Sequence, residues 1–230
     1  MLFRSKKINI QWMTTPYDFD ALEKTNKFSK AFKIGSGDIT WLDFIKAVSK
    51  KKKPIILSTG ASDIKDVTNA VKVINKFNNK ICVMQCNTNY KNERKNFNHI
   101  NLRVLNLYKK KFKNIILGLS DHTEGHSTVL GAVTLGARII EKHFTDDNKR
   151  NGPDHYFSMN PKSWKEMIKR TRELEDALGY EKKIIEQNEQ ESALVQRRCI
   201  RLNRKLIKGS IISIKDLVYL RPAQIGRAHV

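Results

Sequence analysis

Residues 114–122 read NIILGLSDH and residues 137–144 read ARIIEKHF. Each is a short apolar run that stops at a histidine, His122 in the first and His143 in the second. Runs without polar alternation are buried on both faces, as strands of a parallel sheet under helices are. A neutral imidazole is a common ligand for divalent metals. Neighbouring strands lie ~5 Å apart, so imidazoles at the same ends of adjacent strands can meet at one ion. The two stretches therefore set both a fold expectation and a chemical one.

Working outward, the same unit repeats. INIQWM (8–13), AFKIGSGD (31–38), PIILSTG (54–60) and ICVMQCN (81–87) read as strands. Helical patterns follow them: PYDFDALEKTN, WLDFIKAVSK (41–50), a segment capped by Ser62-Asp63 and running to about Lys76, and one near Ile100–Phe112. The small-residue stretch STVLGAVTLGA (127–137) and the amphipathic PKSWKEMIKRTRELEDALG (161–179), stopped by Gly179, complete the series. Six strand–helix units in a row imply an α/β protein with a parallel sheet. An open doubly wound sheet and a (β/α)8 barrel both satisfy that pattern. No G-x-G-x-x-G follows the first strand, so a dinucleotide fold has no support. Nearly every strand ends in small polar or ionisable residues: Thr14-Thr15, Ser36, Ser58-Thr59, Asn87-Thr88, Ser120-Asp121-His122 and His143. A barrel gathers all such ends at one mouth, whereas an open sheet spreads them in a row. This favours the barrel.

The chain of 230 residues, 40% hydrophobic and 29% charged, has the composition of a globular protein. It has no run near the ~18 apolar residues of a membrane span and no apolar h-region of a signal peptide. Cys82, Cys86 and Cys199 lack zinc-ribbon spacing; Cys82 and Cys86 fall on one strand face, and buried free thiols in a reducing cytoplasm are the plain reading. The net charge of +21 suits anionic small molecules. It does not read as a nucleic-acid surface, because the lysines are spread along the chain without interleaved aromatics. The ends MLFRS (1–5) and IGRAHV (225–230) resemble sequencing-adapter read-through and are set aside from the fold. The expected organisation is a barrel domain over 6–180, a polar connector over 181–197, and the start of a β-rich domain over 198–224 around a Lys208-Gly209 turn.

Thr15, Ser36, Ser58, Thr88 and Ser120 sit at predicted strand ends with Lys33 nearby. A phosphate needs several short hydrogen-bond donors and a cation in a sheltered place. One such hydroxyl alone is an ordinary cap or turn residue; five in successive units form a pattern. The polar loop TDDNKRNGPDH (145–155) turns at Gly152-Pro153 and carries Asp154 and His155.

KIGSGD, PIILSTGAS, QCNTNY, GLSDHT, GARIIEKHFT and GPDH, in this order and spacing, resemble the N-acetylneuraminate (sialic acid) synthase family, which includes the legionaminic and pseudaminic acid synthases. The resemblance covers about residues 8–222. It implies a (β/α)8 TIM barrel lacking its first two strands, followed by the start of a C-terminal antifreeze-like (SAF) domain at KLIKGSIISIKDLVYLRP. It also implies a cytoplasmic homodimeric transferase that condenses phosphoenolpyruvate with an N-acyl hexosamine aldehyde, giving a nonulosonic acid and phosphate. By motif position, His122 and His143 would hold a divalent metal, manganese or magnesium, and with Lys33 form the catalytic set. Thr15, Lys33, Ser36, Ser58, Thr88 and Ser120 would contact phosphoenolpyruvate; Asp38, Tyr90 and Asp154 would face the sugar. Several family members carry Glu where Asp38 stands. A different metal-dependent barrel aldolase acting on phospho-sugars, or a basic nucleic-acid-binding module, are the alternative readings. The family's Glu-bearing first strand and Lys-bearing second strand have no counterpart before INIQWM. The isolated 230-residue polypeptide is therefore expected to be inactive and poorly soluble; nonulosonate formed by it from the two substrates would refute this.

Overall fold

The computed structural model describes residues 2–90 and 94–223. Of the end stretches set aside above, Met1 and 225–230 lie outside the described residues, and the remainder of the first belongs to helix α1 (Leu2–Lys7). The stretch 8–13, expected as the first strand, is not one. The Ile8 and Ile10 amides turn back to the Arg4 and Ser5 carbonyls at 3.2 and 2.9 Å. Asn9 takes φ 54°, the left-handed conformation that ends helices. Backbone donors used to cap α1 are lost to a sheet ladder, and only Thr14 makes a parallel bridge, to Phe32.

Helix α2 (Phe19–Asn26) leads into five alternating units: β1 (Phe32–Ile34), α3 (Leu42–Lys50), β2 (Ile55–Ser58), α4 (Ile64–Asn75), β3 (Ile81–Cys86), α5 (Val104–Lys111), β4 (Ile116–Asp121), α6 (Ser127–Thr134), β5 (Ala137–Lys142) and α7 (Pro161–Leu178). The strands form one sheet in the order β1-β2-β3-β4-β5, every pair parallel. Among the described residues the sheet thus has five strands rather than the six read from the sequence. Helix starts follow from local chemistry. Asp63 and Asp66 form a reciprocal capping box at α4, Asn160 and Ser163 do the same at α7, and Pro161 opens α7 where its missing N–H costs nothing.

Side chains alternate between sheet faces. One face carries Phe32, Ile34, Ile55, Leu57, Ile81, Val83, Leu117, Leu119 and Ala137, which pack with Phe44, Ile45, Val67, Ile74, Leu105, Val129 and Ala132 of the helices into a single core. The register places the intervening residues on the opposite, inner face: Lys33, Ile56, Ser58, Cys82, Met84, Cys86, Gly118, Ser120, Ile139 and Glu141. Cys82 and Cys86 do share a face, and burial pushes the Cys82 thiol up to about 12.

Residues Tyr180–Val230 form a second compact unit. Its described part holds α8 (Gln190–Gln196) and an antiparallel pair, β6 (Cys199–Leu202) with β7 (Leu217–Leu220). Asp216 is buried there and accepts from Arg204, Ser213 N and Ser213 Oγ, which holds its carboxyl below the usual range. Among the described residues, no helix is long and apolar enough to cross a membrane.

Gly118 sits where the inner layer of β3, β4 and β5 is tightly packed. A Cβ there would come within 2.8 Å of Met84 Cγ, 2.9 Å of Cys82 Sγ and 2.9 Å of the Ile139 carbonyl oxygen. The last is backbone and cannot swing aside. Gly118→Ala is expected to destabilise the sheet by about 1–3 kcal/mol, read as a fall in the denaturant midpoint at unchanged slope.

Candidate active site

The C-terminal ends of β3, β4 and β5 bring the two histidines together. His122 follows β4 and His143 follows β5, and their ring centroids lie 5.2 Å apart. His122 is buried. Its Nδ1 lies 2.9 Å from the Asn87 carbonyl oxygen, which can only accept, so Nδ1 carries the proton and Nε2 keeps its lone pair. Burial, opposed by that carbonyl bond and helped by His143, lowers the His122 pKa from 6.5. His143 Nδ1 lies 3.9 Å from Asp154 Oδ2 on the loop after β5. Tyr90 covers the pair, 4.5 Å from His122 and 5.9 Å from His143 between ring centroids. Phe157 packs beside them, 5.0 Å from His143 and 6.1 Å from Tyr90 between ring centroids. The Tyr156 hydroxyl donates to the Tyr90 carbonyl at 2.6 Å, joining the loops after β3 and β5.

A second group lies on the same inner face, one step below the histidines on β4 and β5. Glu141 accepts from Ser120 Oγ at 2.8 Å and pairs with Lys33 Nζ at 3.0 Å. Ser36 Oγ accepts from the Gly60 amide at 2.9 Å. A Cβ on Gly60 would lie 2.5 Å from the Thr88 methyl, 2.9 Å from Ser36 Oγ and 3.1 Å from Cys86 Sγ, so bare backbone lets these three strand ends meet. Burial raises the Cys86 thiol pKa, against hydrogen bonds from Ser120 and Ser36. Ser58 Oγ is buried and, among the described residues, has no hydrogen-bond partner.

Lys33, Ser36, Ser58, Thr88, Ser120, Tyr90, Asp154 and both histidines thus gather at one end of the sheet. Thr15 and Asp38 lie against the turn after β1, next to Ser36: a Cβ on Gly35 would be 3.8 Å from the Thr15 methyl and 3.9 Å from Asp38 Oδ2. Asp38 closes the 3-10 turn Ser36–Asp38. Asp121 was grouped with Ser120 and His122 at the mouth by sequence; alternation turns it to the helix side instead. There it pairs with Lys142 at 2.7 Å, the two side chains 0% and 2% exposed. Glu141 was missed, although it lies two positions before His143 and so on the same face. Phe157 and Tyr156 gave no periodic signal in their loop, and the Asn87 carbonyl gave none because it is backbone. Among the described residues, no cluster of three or more His, Cys, Asp or Glu has metal-binding geometry.

A curved parallel sheet with helices on one face and paired imidazoles beside a lysine–hydroxyl ledge defines a barrel-type α/β architecture with its polar groups at the C-terminal strand ends. The sialic acid synthetase of Leptospira borgpetersenii has this fold, with a TM-score of 0.75 at 30% identity over 83% of this chain and 66% of that one. The N,N'-diacetyllegionaminic acid synthase of Campylobacter jejuni is 36% identical over 97% of this chain and 67% of its own length. Human N-acetylneuraminate-9-phosphate synthase is 32% identical over 64% of this chain and 40% of its own length. The NeuB family model matches residues 2–183, and the chain belongs to the NeuB family. It spans about two thirds of the length of the bacterial relatives.

The His122 ring titrates lower in the folded chain than the ordinary 6.5. Stability tied to the neutral ring is therefore complete above pH 6.5 and is lost as pH falls through the folded value. In chelator-treated protein, acidification from pH 7 to 5 is expected to destabilise the wild type more than His122→Asn, which keeps a donor for the Asn87 carbonyl; parallel pH profiles would contradict it.

Proposed function

We propose that the complete protein is a nonulosonic acid synthase. It joins the methylene carbon of phosphoenolpyruvate to the aldehyde carbon of an open-chain N-acyl hexosamine, adds water and releases phosphate. The observation that carries this reading is the convergence of two imidazoles, 5.2 Å apart, with the Lys33–Ser120–Glu141 group on one inner face.

The residues suit both partners. Two imidazoles, one with Nε2 free by its tautomer, fit two positions of a divalent cation, manganese or magnesium, with water or sugar oxygens supplying the rest. Bound there, the cation supplies Lewis-acid polarisation of the aldehyde oxygen. Lys33 offers the positive charge for the phosphate, and the Ser36 hydroxyl, which accepts from the Gly60 amide, and the Ser58 hydroxyl, unpartnered among the described residues, offer short donors, with Ser120 joining them when it turns from Glu141. Thr88 and Tyr90 line a cleft with Asn89, Pro153, Asp154 and Tyr156, which we assign to the sugar. Tyr90 and Phe157 pack beside the imidazoles, and of the two rings His122 is the buried one. Thr15 and Asp38, beside the turn after β1, are assigned contacts with phosphoenolpyruvate and with the sugar respectively. Residues 198–224 are read as the opening strands of an antifreeze-like domain.

Electron paramagnetic resonance of free Mn2+ tests the metal half on the chain as it stands. Wild type is expected to bind one equivalent, with His122→Ala and His143→Ala each weakening it tenfold or more. Calorimetry with phosphoenolpyruvate tests the anion half, with Lys33→Met weakening binding at least tenfold. Affinities unchanged by these substitutions would overturn the assignment.

A further inference from the structure

Directly behind the paired histidines, on the other face of the same two strands, lies a buried ion pair that the proposed chemistry does not use. Asp121 and Lys142 are the last registered pair of β4 and β5, and each immediately precedes one of the histidines. Both side chains are fully enclosed. The layer below on that face holds Leu119 opposite Ile140, so an apolar pair would extend the core naturally. Stability does not explain the exception, since replacing a buried ion pair with packed apolar residues is often neutral or favourable.

The hydrogen bonds suggest what it does. Lys142 Nζ donates to Asp121 Oδ2 at 2.7 Å, to the Thr123 carbonyl at 2.6 Å and to the Gly125 carbonyl at 3.0 Å. All three ammonium protons are thereby placed. Asp121 accepts from the Thr123 amide at 3.1 Å, from Thr123 Oγ1 at 2.9 Å and from Thr128 Oγ1 at 2.6 Å. The pair thus binds together the end of β5, the end of β4, the turn that carries the chain past His122, and the first turn of α6. His122 is flanked by Asp121 and Thr123, both held in this network; His143 is flanked by Lys142. Beyond Asp121 and Lys142 the β4–β5 ladder stops; the His143 carbonyl instead accepts from the Met159 amide at 2.8 Å, so no ladder bond between the two strands sets the spacing of the next two residues.

We propose that the Asp121–Lys142 pair positions the two imidazoles: it holds the β4 and β5 ends at the separation and angle that let His122 and His143 share one cation. This rests on the metal reading above. Outer contacts of metal ligands commonly change affinity 10–100-fold.

The double variant Asp121→Leu/Lys142→Met tests it, because removing both charges avoids leaving either one buried alone. The expected result is a thermal midpoint near that of wild type, with Mn2+ affinity reduced tenfold or more. A second readout needs no metal. With labelled histidine, wild type should show a nuclear Overhauser contact between the two rings, and the double variant should lose it. If wild type shows the ring contact but binds no Mn2+, the metal reading fails, and the positioning role is then judged by the ring contact alone. Retained Mn2+ affinity within twofold, or a retained ring contact in metal-free protein, would overturn the proposal. Should the double variant not fold, Thr128→Val decides: a loss of at least threefold in Mn2+ affinity, or of the ring contact, supports the role, and neither changing overturns it.

Discussion

Everything at the mouth depends on the two-residue alternation of a strand. In β4, Ser120 faces inward while Leu119 and Asp121 face the helices, and in β5, Glu141 faces inward while Ile140 and Lys142 do not; His122 and His143, one residue past the strands, continue the inward series. A one-residue slip between these strands would exchange the whole set. The apolar core on the helix side resists such a slip, because burying Ser120 or Glu141 there would desolvate polar groups without partners. The same packing that folds the chain therefore fixes which side chains can do chemistry.

Curvature is the second constraint. Lys33 is on β1 and Glu141 on β5, the two outer strands of the sheet, separated along it by four spacings of ~4.8 Å. Yet their side chains touch at 3.0 Å. A flat sheet would not allow this. The contact is a chord across the arc, and it brings a cation from one edge to a carboxylate from the other. Both are partly solvent-accessible, so the pair itself adds little stability; its meaning is geometric.

Much of this was legible in the sequence. The five strand–helix units, the capped start of α4 at Asp63, the stop of α7 at Gly179 and the convergence of His122, His143, Lys33 and the hydroxyls all follow from local pattern. The stretch 8–13 failed because an apolar run does not say where its backbone hydrogen bonds go, and here the first of them close α1. Asp121 departs from the mouth because adjacent residues at a strand end face opposite ways, and its side chain goes to the helix side to pair with Lys142. Glu141 was obscured by its neighbours: in EKHF the histidine drew attention, and only the register reveals that the glutamate shares its face. The Asn87 carbonyl has no side-chain signature at all.

One bond described above joins two distant parts of the chain. The Tyr156 hydroxyl reaches the backbone of Tyr90, so the rim segments after β3 and β5 form a single arch over the histidines. Reshaping either segment shifts the other, since the bond is to a main-chain oxygen that no substitution at position 90 removes. Drift toward a new sugar preference on this scaffold would thus proceed by matched changes in the two segments rather than by single steps in one.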